Sequence, residues 1–230
     1  MRIDGLQKMT LLDFPGKVAC TVFTGGCNFR CPFCHNALLV TELPENPDYT
    51  VDEILSFLKK RSGLLDGVAI TGGEPLMNPD IADFIKQIRE LGYAVKLDTN
   101  GSYPDRLKSI VAEGLVDYVA MDIKNCKEKY AETIGLKSYD LSKIEESVEF
   151  LKSGTVDYEF RTTIVNEFHT VEDIRKAAEW IKGAKRYFLQ NFVDSGNLID
   201  GSVTGVGKQT MLDMQKAAAD FVPQTEIRGI

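Results

Sequence analysis

The chain has 230 residues, with 27 Lys and Arg against 34 Asp and Glu, for a net charge of −7; 43% of it is hydrophobic and 27% charged. Such a composition supports a core that needs no disulfide staples, and the acidic balance disfavours a general basic face for nucleic acid. No apolar run approaches the roughly 20 residues of a membrane span, and the amino terminus lacks a signal-peptide core, so a cytoplasmic protein away from membranes is expected.

Alternation dominates the pattern along the chain. Lys17 to Thr24 is β-branched and bounded by Gly16 and Gly25, the mark of a strand. Thr50 to Lys60 carries Val51, Ile54, Leu55 and Leu58 at helical spacing, with Thr50 and Glu53 placed as a capping box. Gly67 to Thr71 reads as a short buried strand, and Pro79 to Leu91 as a helix closed by Gly92. Strands follow at Tyr93–Leu97, Leu115–Met121, Val156–Thr163 and Tyr187–Gln190, interleaved with helices at Tyr103–Ala112, Leu141–Leu151 and Val171–Ile181. A last helix spans Lys208–Phe221, and Thr225–Arg228 would add an edge strand. About six β/α units result, each long enough for a right-handed parallel crossover. This is an α/β chain, doubly wound or barrel-like, with fewer units than the eight of a closed barrel. A single domain over 1–230 is expected, its tail from about 193 loosely constrained.

The polar and glycine-rich clusters fall after strands: Gly25-Gly-Cys, Gly72-Gly-Glu, Asp98-Thr-Asn-Gly and Asp122-Ile-Lys. Carboxyl ends of parallel strands are where α/β proteins build their sites. Three of the five cysteines crowd into Cys27-x3-Cys31-x2-Cys34 directly after a strand. Three thiolates suit a [4Fe–4S] cluster with one iron open to another ligand. Zinc is the alternative, but it would draw a fourth ligand from His35, His169, Cys20 or Cys126; a thiol redox pair is a third reading. Cys20 reads as core, His169 as a helix cap, and Cys126 has no assigned role.

The C-x3-C-x-aromatic-C pattern, with Phe33 as the aromatic, resembles the cluster loop of the radical S-adenosylmethionine (SAM) superfamily. Thr71-Gly72-Gly73-Glu74-Pro75 resembles that family's GGE element, and the His35-Asn36 that follows Cys34 resembles the activating enzymes of glycyl radical proteins. Leu97-Asp98-Thr99-Asn100-Gly101 and Val119-Ala120-Met121-Asp122-Ile123-Lys124 resemble two further elements of that group. The resemblance implies a partial (β/α)6 TIM-like barrel with one [4Fe–4S] cluster on Cys27, Cys31 and Cys34. SAM would chelate the fourth iron and meet Phe33, His35, Gly72, Gly73 and Glu74, the last by carboxylate against ammonium. Asp122 and Ile123 would border its ribose, and Lys124 would pair with its carboxylate. Asp98, Thr99, Ala120 and Asp122 would line a monovalent or divalent cation site, since oxygen ligands suit a hard cation. Arg161, and Asn191 or Phe192, would approach the same ligand, and Asp13 would stand near the incoming substrate.

Leu11-Leu12-Asp13-Phe14-Pro15-Gly16-Lys17 and the cysteine loop together resemble the short anaerobic ribonucleoside-triphosphate reductase activating proteins. The implied activity is SAM cleavage to a 5′-deoxyadenosyl radical that abstracts a glycine Cα hydrogen from that reductase, with flavodoxin or ferredoxin as electron donor. Residues 35–71 contain no cysteine, so one cluster is expected. The rivals are activation of another glycyl radical enzyme, radical modification of another peptide, and a non-catalytic iron–sulfur or zinc module.

Overall fold

Eight strands alternate with helices in the computed structural model, which describes residues 1–194 and 196–229. In chain order they are β1 Ile3–Thr10, β2 Ala19–Thr24, α1 Leu38–Thr41, α2 Val51–Lys60, β3 Gly67–Gly72, α3 Ile81–Glu90, β4 Ala94–Thr99, α4 Pro104–Ala112 and β5 Tyr118–Asp122. There follow α5 Tyr130–Thr133, α6 Ser142–Lys152, β6 Asp157–Ile164, α7 Val171–Trp180, β7 Tyr187–Asn191, α8 Lys208–Ala219 and β8 Thr225–Arg228. Among the described residues the strands form one sheet in the order β1 through β8, with no pairing of β8 back to β1. This is the α/β fold of a partial (β/α)6 barrel, with β1 and β8 added at its margins.

The described residues divide into two compact units: Met1–Asn28 with Leu38–Ala120 and Thr155–Asp157, and Phe29–Ala37 with Met121–Gly154 and the chain from Tyr158 onward. In the first unit β2 and β3 run parallel, with Cys20 beside Val68, Val22 beside Ile70 and Thr24 beside Gly72. All of Cys20, Val22, Val68 and Ile70 are fully buried, as expected for strands covered on both faces. The α2 capping box forms as the sequence predicts, Glu53 N donating to Thr50 Oγ1 at 3.2 Å and Thr50 N to Glu53 Oε2 at 2.8 Å. Ile81, Phe84, Ile85 and Ile88 make the buried stripe of α3, each contributing roughly 1.5–3 kcal/mol of apolar burial.

Strand β1 was not expected. It pairs antiparallel with β2, and register shifts interrupt the ladder between Ile3 and Gly5 and between Gln7 and Thr10. Its burial pattern leaves Gln7, Lys8 and Met9 exposed, and those irregularities erase the two-residue period that sequence reading needs.

In the second unit β6, β7 and β8 run parallel, with Arg161 beside Phe188 and Phe188 beside Glu226. Arg228 grips the buried Glu159 carboxylate through two bonds, at 2.9 and 3.0 Å, and lies 3.5 Å from the Phe188 ring centroid. That pairing seats the terminal strand, which the sequence did predict. His169 is not the helix cap: Thr170 caps α7, accepting from Asp173 N at 3.2 Å, and His169 turns inward. No helix among the described residues is long and apolar enough to cross a membrane.

Candidate functional site

In the first unit, three loops that leave strand carboxyl ends are bonded to one another. After β2 the chain turns through Gly26 to Cys27. Glu74 N, after β3, donates to the Gly26 carbonyl at 2.8 Å, and Gly73 N donates to Thr24 O at 2.8 Å. A β-carbon on Gly73 would lie 1.9 Å from the Gly26 oxygen, and one on Gly72 would lie 2.4 Å from Thr24 O. Glycine is therefore required at both positions by close backbone approach. The Glu74 carboxylate is fully buried. It accepts from Leu76 N at 3.1 Å, Thr99 Oγ1 at 2.8 Å and Asn100 N at 2.7 Å. These three donors engage both carboxylate oxygens inside the protein, so the side chain ties the β3 turn to the β4 end.

Asn100 carries the link onward. Its amide donates to Asn28 Oδ1 at 2.9 Å and reaches Cys27 Sγ at 3.8 Å. Beside it on β4, Lys96 and Asp98 share one strand face and form an ion pair. Asp13 lies elsewhere in this unit. The register sets Thr10 beside Ala19, which puts the β1–β2 connection at the amino end of β2, opposite the end from which the cluster loop departs. There Asp13 Oδ2 accepts from Thr21 Oγ1 at 2.5 Å. A place beside an incoming substrate at the carboxyl end is not what this register favours, and the sequence held no sign of it because strand β1 was missed.

The second unit holds Cys31, buried, and Cys34, half-buried. Burial pushes the Cys34 thiol above its ordinary value, while the nearby Lys124 and Arg30 work against that and Asp122 adds to it. At the end of β5, Asp122 is gripped from two sides. Lys124 Nζ donates to Oδ2 at 2.8 Å, and Arg161, from β6, reaches Oδ1 with its Nε and a terminal nitrogen, each at 3.0 Å. Burial raises this carboxyl, but the two cations outweigh it and hold it at about 2. Lys124 is likewise disfavoured by burial, yet Asp122 and then Cys31 push its ammonium well above the usual lysine range. Ile123 is fully buried, its N–H donating to Arg161 O at 2.8 Å.

Phe33 is buried against Phe168 and His169, with ring centroids at 5.8 and 6.2 Å. His35 stacks on Phe192 at 5.2 Å with 17° between the ring planes. Asn191 is committed to the chain, its amide bonding Val206 O and accepting from Val206 N, both at 3.1 Å. Sequence reasoning missed His169 as a site residue: its Nε2 meets the Lys124 carbonyl at 2.8 Å and its Nδ1 meets Val165 N at 3.1 Å. It missed Asn100 too, although the Asp-Thr-Asn-Gly cluster was the available signal.

The donors fit an iron–sulfur cluster. Three thiols lie within eight residues on a loop whose first cysteine receives an amide N–H, while a lysine and an arginine act on the third. Among the described residues no three His, Cys, Asp or Glu side chains gather as they would around a single metal ion, but a cubane takes each thiolate on a separate iron. The predicted cation ligands do not fit in the same way. Asp98 is paired with Lys96, Asp122 with Lys124 and Arg161, and the Thr99 hydroxyl donates to Glu74 and accepts from Gly101 N at 3.1 Å.

A family model described as the radical SAM superfamily matches residues 21–181. A protein of Methanocaldococcus jannaschii named as a glycyl-radical enzyme activating enzyme is 32% identical over 197 residues, covering 83% of this chain and 79% of its own. The pyruvate formate-lyase-activating enzyme of Clostridium pasteurianum is 28% identical over 232 residues, covering 96% and 90%. Among solved structures, Streptococcus suis SuiB bound to S-adenosylmethionine shares the fold, with a TM-score of 0.69 at 13% identity over 89% of this chain. The chain spans about half the length of that structure (48%).

Proposed function

The chain belongs to the radical SAM superfamily, and from that premise we propose that it is an enzyme activating a glycyl radical protein. The observation that carries the reading is the Cys27-x3-Cys31-x2-Cys34 loop after β2, in a chain similar along most of its length to proteins named as activating enzymes. Cys27, Cys31 and Cys34 would hold one [4Fe–4S] cluster and leave an iron for the SAM amino and carboxylate groups. With an external one-electron reductant, cluster and SAM would supply reductive cleavage of the S–C5′ bond, releasing methionine and giving a 5′-deoxyadenosyl radical able to take a Cα hydrogen from a glycine of the partner, with 5′-deoxyadenosine as the product.

The chain's own residues bind and orient. Lys124 and Arg161 bring two positive charges to the single carboxylate of Asp122, and the excess suits the SAM carboxylate. Asp122 and Ile123 would border the ribose. Gly72 and Gly73 would offer backbone at close range to the amino end of SAM, with Glu74 fixing their turn. Phe33, His35 and Phe192 would line the adenosine side, with Asn191 holding the strand end. No general base is required for hydrogen abstraction, consistent with two histidines in the whole chain. The family match runs through both compact units, which supports reading 1–230 as one domain. The partner we favour is anaerobic ribonucleoside-triphosphate reductase, with flavodoxin or ferredoxin as reductant, all cytoplasmic.

The test is anaerobic. With the cluster reconstituted and reduced, SAM and that reductase are added and the EPR spectrum is recorded. A glycyl-radical doublet that requires SAM is the expected result. Deoxyadenosine without a doublet would keep SAM cleavage and reject this partner. Neither signal, from protein with a full iron and sulfide complement, would overturn the reading.

A further inference from the structure

Lysine is rare on a buried strand face, and Lys96 on β4 is 2% exposed. Its ammonium pairs with Asp98, two residues on along the same face. Asp98 is the first residue of the Asp-Thr-Asn-Gly element, where a bound cation is implied by the family resemblance. Two of the other oxygen donors implied for that cation are engaged as well. Thr99 donates its hydroxyl hydrogen to Glu74 and accepts at its oxygen from Gly101 N. In the second unit, Lys124 and Arg161 take both oxygens of Asp122. Each carboxylate thus already faces a positive group belonging to the protein. A metal ion entering at Asp98 would have to displace a buried ammonium, leaving that charge unpaired away from water.

We infer that Lys96 is a built-in substitute for the bound cation: a positioning residue whose ammonium neutralises Asp98, so that SAM binding in this chain depends on no added alkali or alkaline-earth ion. The inference rests on the SAM-binding reading above. It also predicts a gain of function, because removing the ammonium while keeping Asp98 should open a vacancy that an ion can fill.

The experiment uses the cluster-loaded chain at constant ionic strength in choline, sodium, potassium or magnesium chloride. SAM affinity is read by equilibrium dialysis, and cation binding by thallium-205 resonance with Tl⁺ as the probe. For the parent, SAM affinity should differ by less than about twofold among the salts, and Tl⁺ should show no saturable binding. Lys96→Met should bind SAM about tenfold more weakly in choline, the weight of one charge-assisted contact. It should recover most of that in sodium, potassium or magnesium and acquire a Tl⁺ site. Lys96→Arg should keep the parent's indifference to salt, which a purely structural lysine would not guarantee. A parent whose SAM affinity rises about tenfold with one cation, a parent with a saturable Tl⁺ site, or Lys96→Met matching the parent in choline would each overturn the inference. If Lys96→Met fails to fold, the parent measurements still decide. If cluster-replete parent binds no SAM at all, the functional reading has failed, while the Tl⁺ titration still reports on Lys96.

Discussion

The carbonyl oxygen of Gly26 occupies the space that a β-carbon at position 73 would need, 1.9 Å away, and the same oxygen accepts the Glu74 N–H at 2.8 Å. Gly73→Ala must therefore break the link between the β2 and β3 turns or push both apart. We expect it to cost about 1–3 kcal/mol in urea unfolding, as overpacking does, and to weaken SAM binding about tenfold or more. Gly92→Ala is the contrast: φ is +88° and nothing lies within 4 Å of the new carbon, so about 1–2 kcal/mol of backbone strain should appear with SAM affinity untouched. Equal SAM affinity in Gly73→Ala and the parent would refute the assignment of this turn.

The Asp122 cluster sets an acid limit. Its carboxyl lies at about 2 in the folded chain against 3.8 in its absence, lowered by Lys124 and Arg161 against the opposing pull of burial. A lowered carboxyl contributes fully above the unfolded value and loses that contribution as pH falls toward the folded one. The side chain keeps 30% exposure, so solvent screening trims the contribution to roughly 1–2 kcal/mol. Chemical denaturation should show the parent losing this increment between about pH 4 and pH 2. Asp122→Asn should be flatter over the same interval, and identical slopes for the two proteins would remove Asp122 as a source of the acid sensitivity.

Long periodic segments and punctuation were legible in the sequence, because each rests on local chemistry. The capping box of Thr50 and Glu53, the α3 stripe and the terminal strand Thr225–Arg228 all form where the spacing put them. The order of the strand-end clusters was legible for the same reason. What escaped depends on partners far away in the chain. Nothing near Ile3 announces that it will lie antiparallel to Thr24, and Lys96 looks like one more surface lysine until its strand face is seen to be buried. His169 was misjudged because the residue before a helix is usually a cap, whereas here Thr170 takes that role and frees the imidazole for Lys124.

That imidazole has one tautomer. Nε2 lies 2.8 Å from the Lys124 carbonyl, which can only accept, so in the neutral ring Nε2 carries the proton; Nδ1 then accepts from Val165 N at 3.1 Å and also lies 3.2 Å from Val165 O. Burial lowers the ring below 6.5, although its bonds to Lys124 and Val165 pull the other way. A ring held neutral stabilises the fold above pH 6.5 and loses that contribution as pH falls below it. Nitrogen-15 NMR should find Nε2 protonated and Nδ1 bare at pH 7. His169→Phe should cost about 1–3 kcal/mol for the orphaned carbonyl and weaken SAM binding through the Lys124 loop. An imidazole titrating at or above 6.5 would contradict this arrangement.

Glu74 and Cys27 communicate through Asn100. The buried carboxylate fixes Asn100 through its backbone N–H at 2.7 Å, and the Asn100 amide then reaches Cys27 Sγ at 3.8 Å. A hydrogen bond to a ligating sulfur stabilises the extra electron density of a reduced cluster, so its loss should make reduction harder. Asn100→Ala should keep its full iron and sulfide content while its midpoint potential, followed by EPR in a redox titration, moves to more negative values. Glu74→Gln turns one acceptor oxygen into an NH2 group facing donors, at a cost of about 1–3 kcal/mol. It should shift the potential in the same direction by loosening Asn100. The double variant should then shift it no further than Asn100→Ala alone, because both changes act through one contact. Additive shifts would show that Glu74 reaches the cluster by another route, and an unchanged potential in Asn100→Ala with an intact cluster would dismiss the contact as a tuning element.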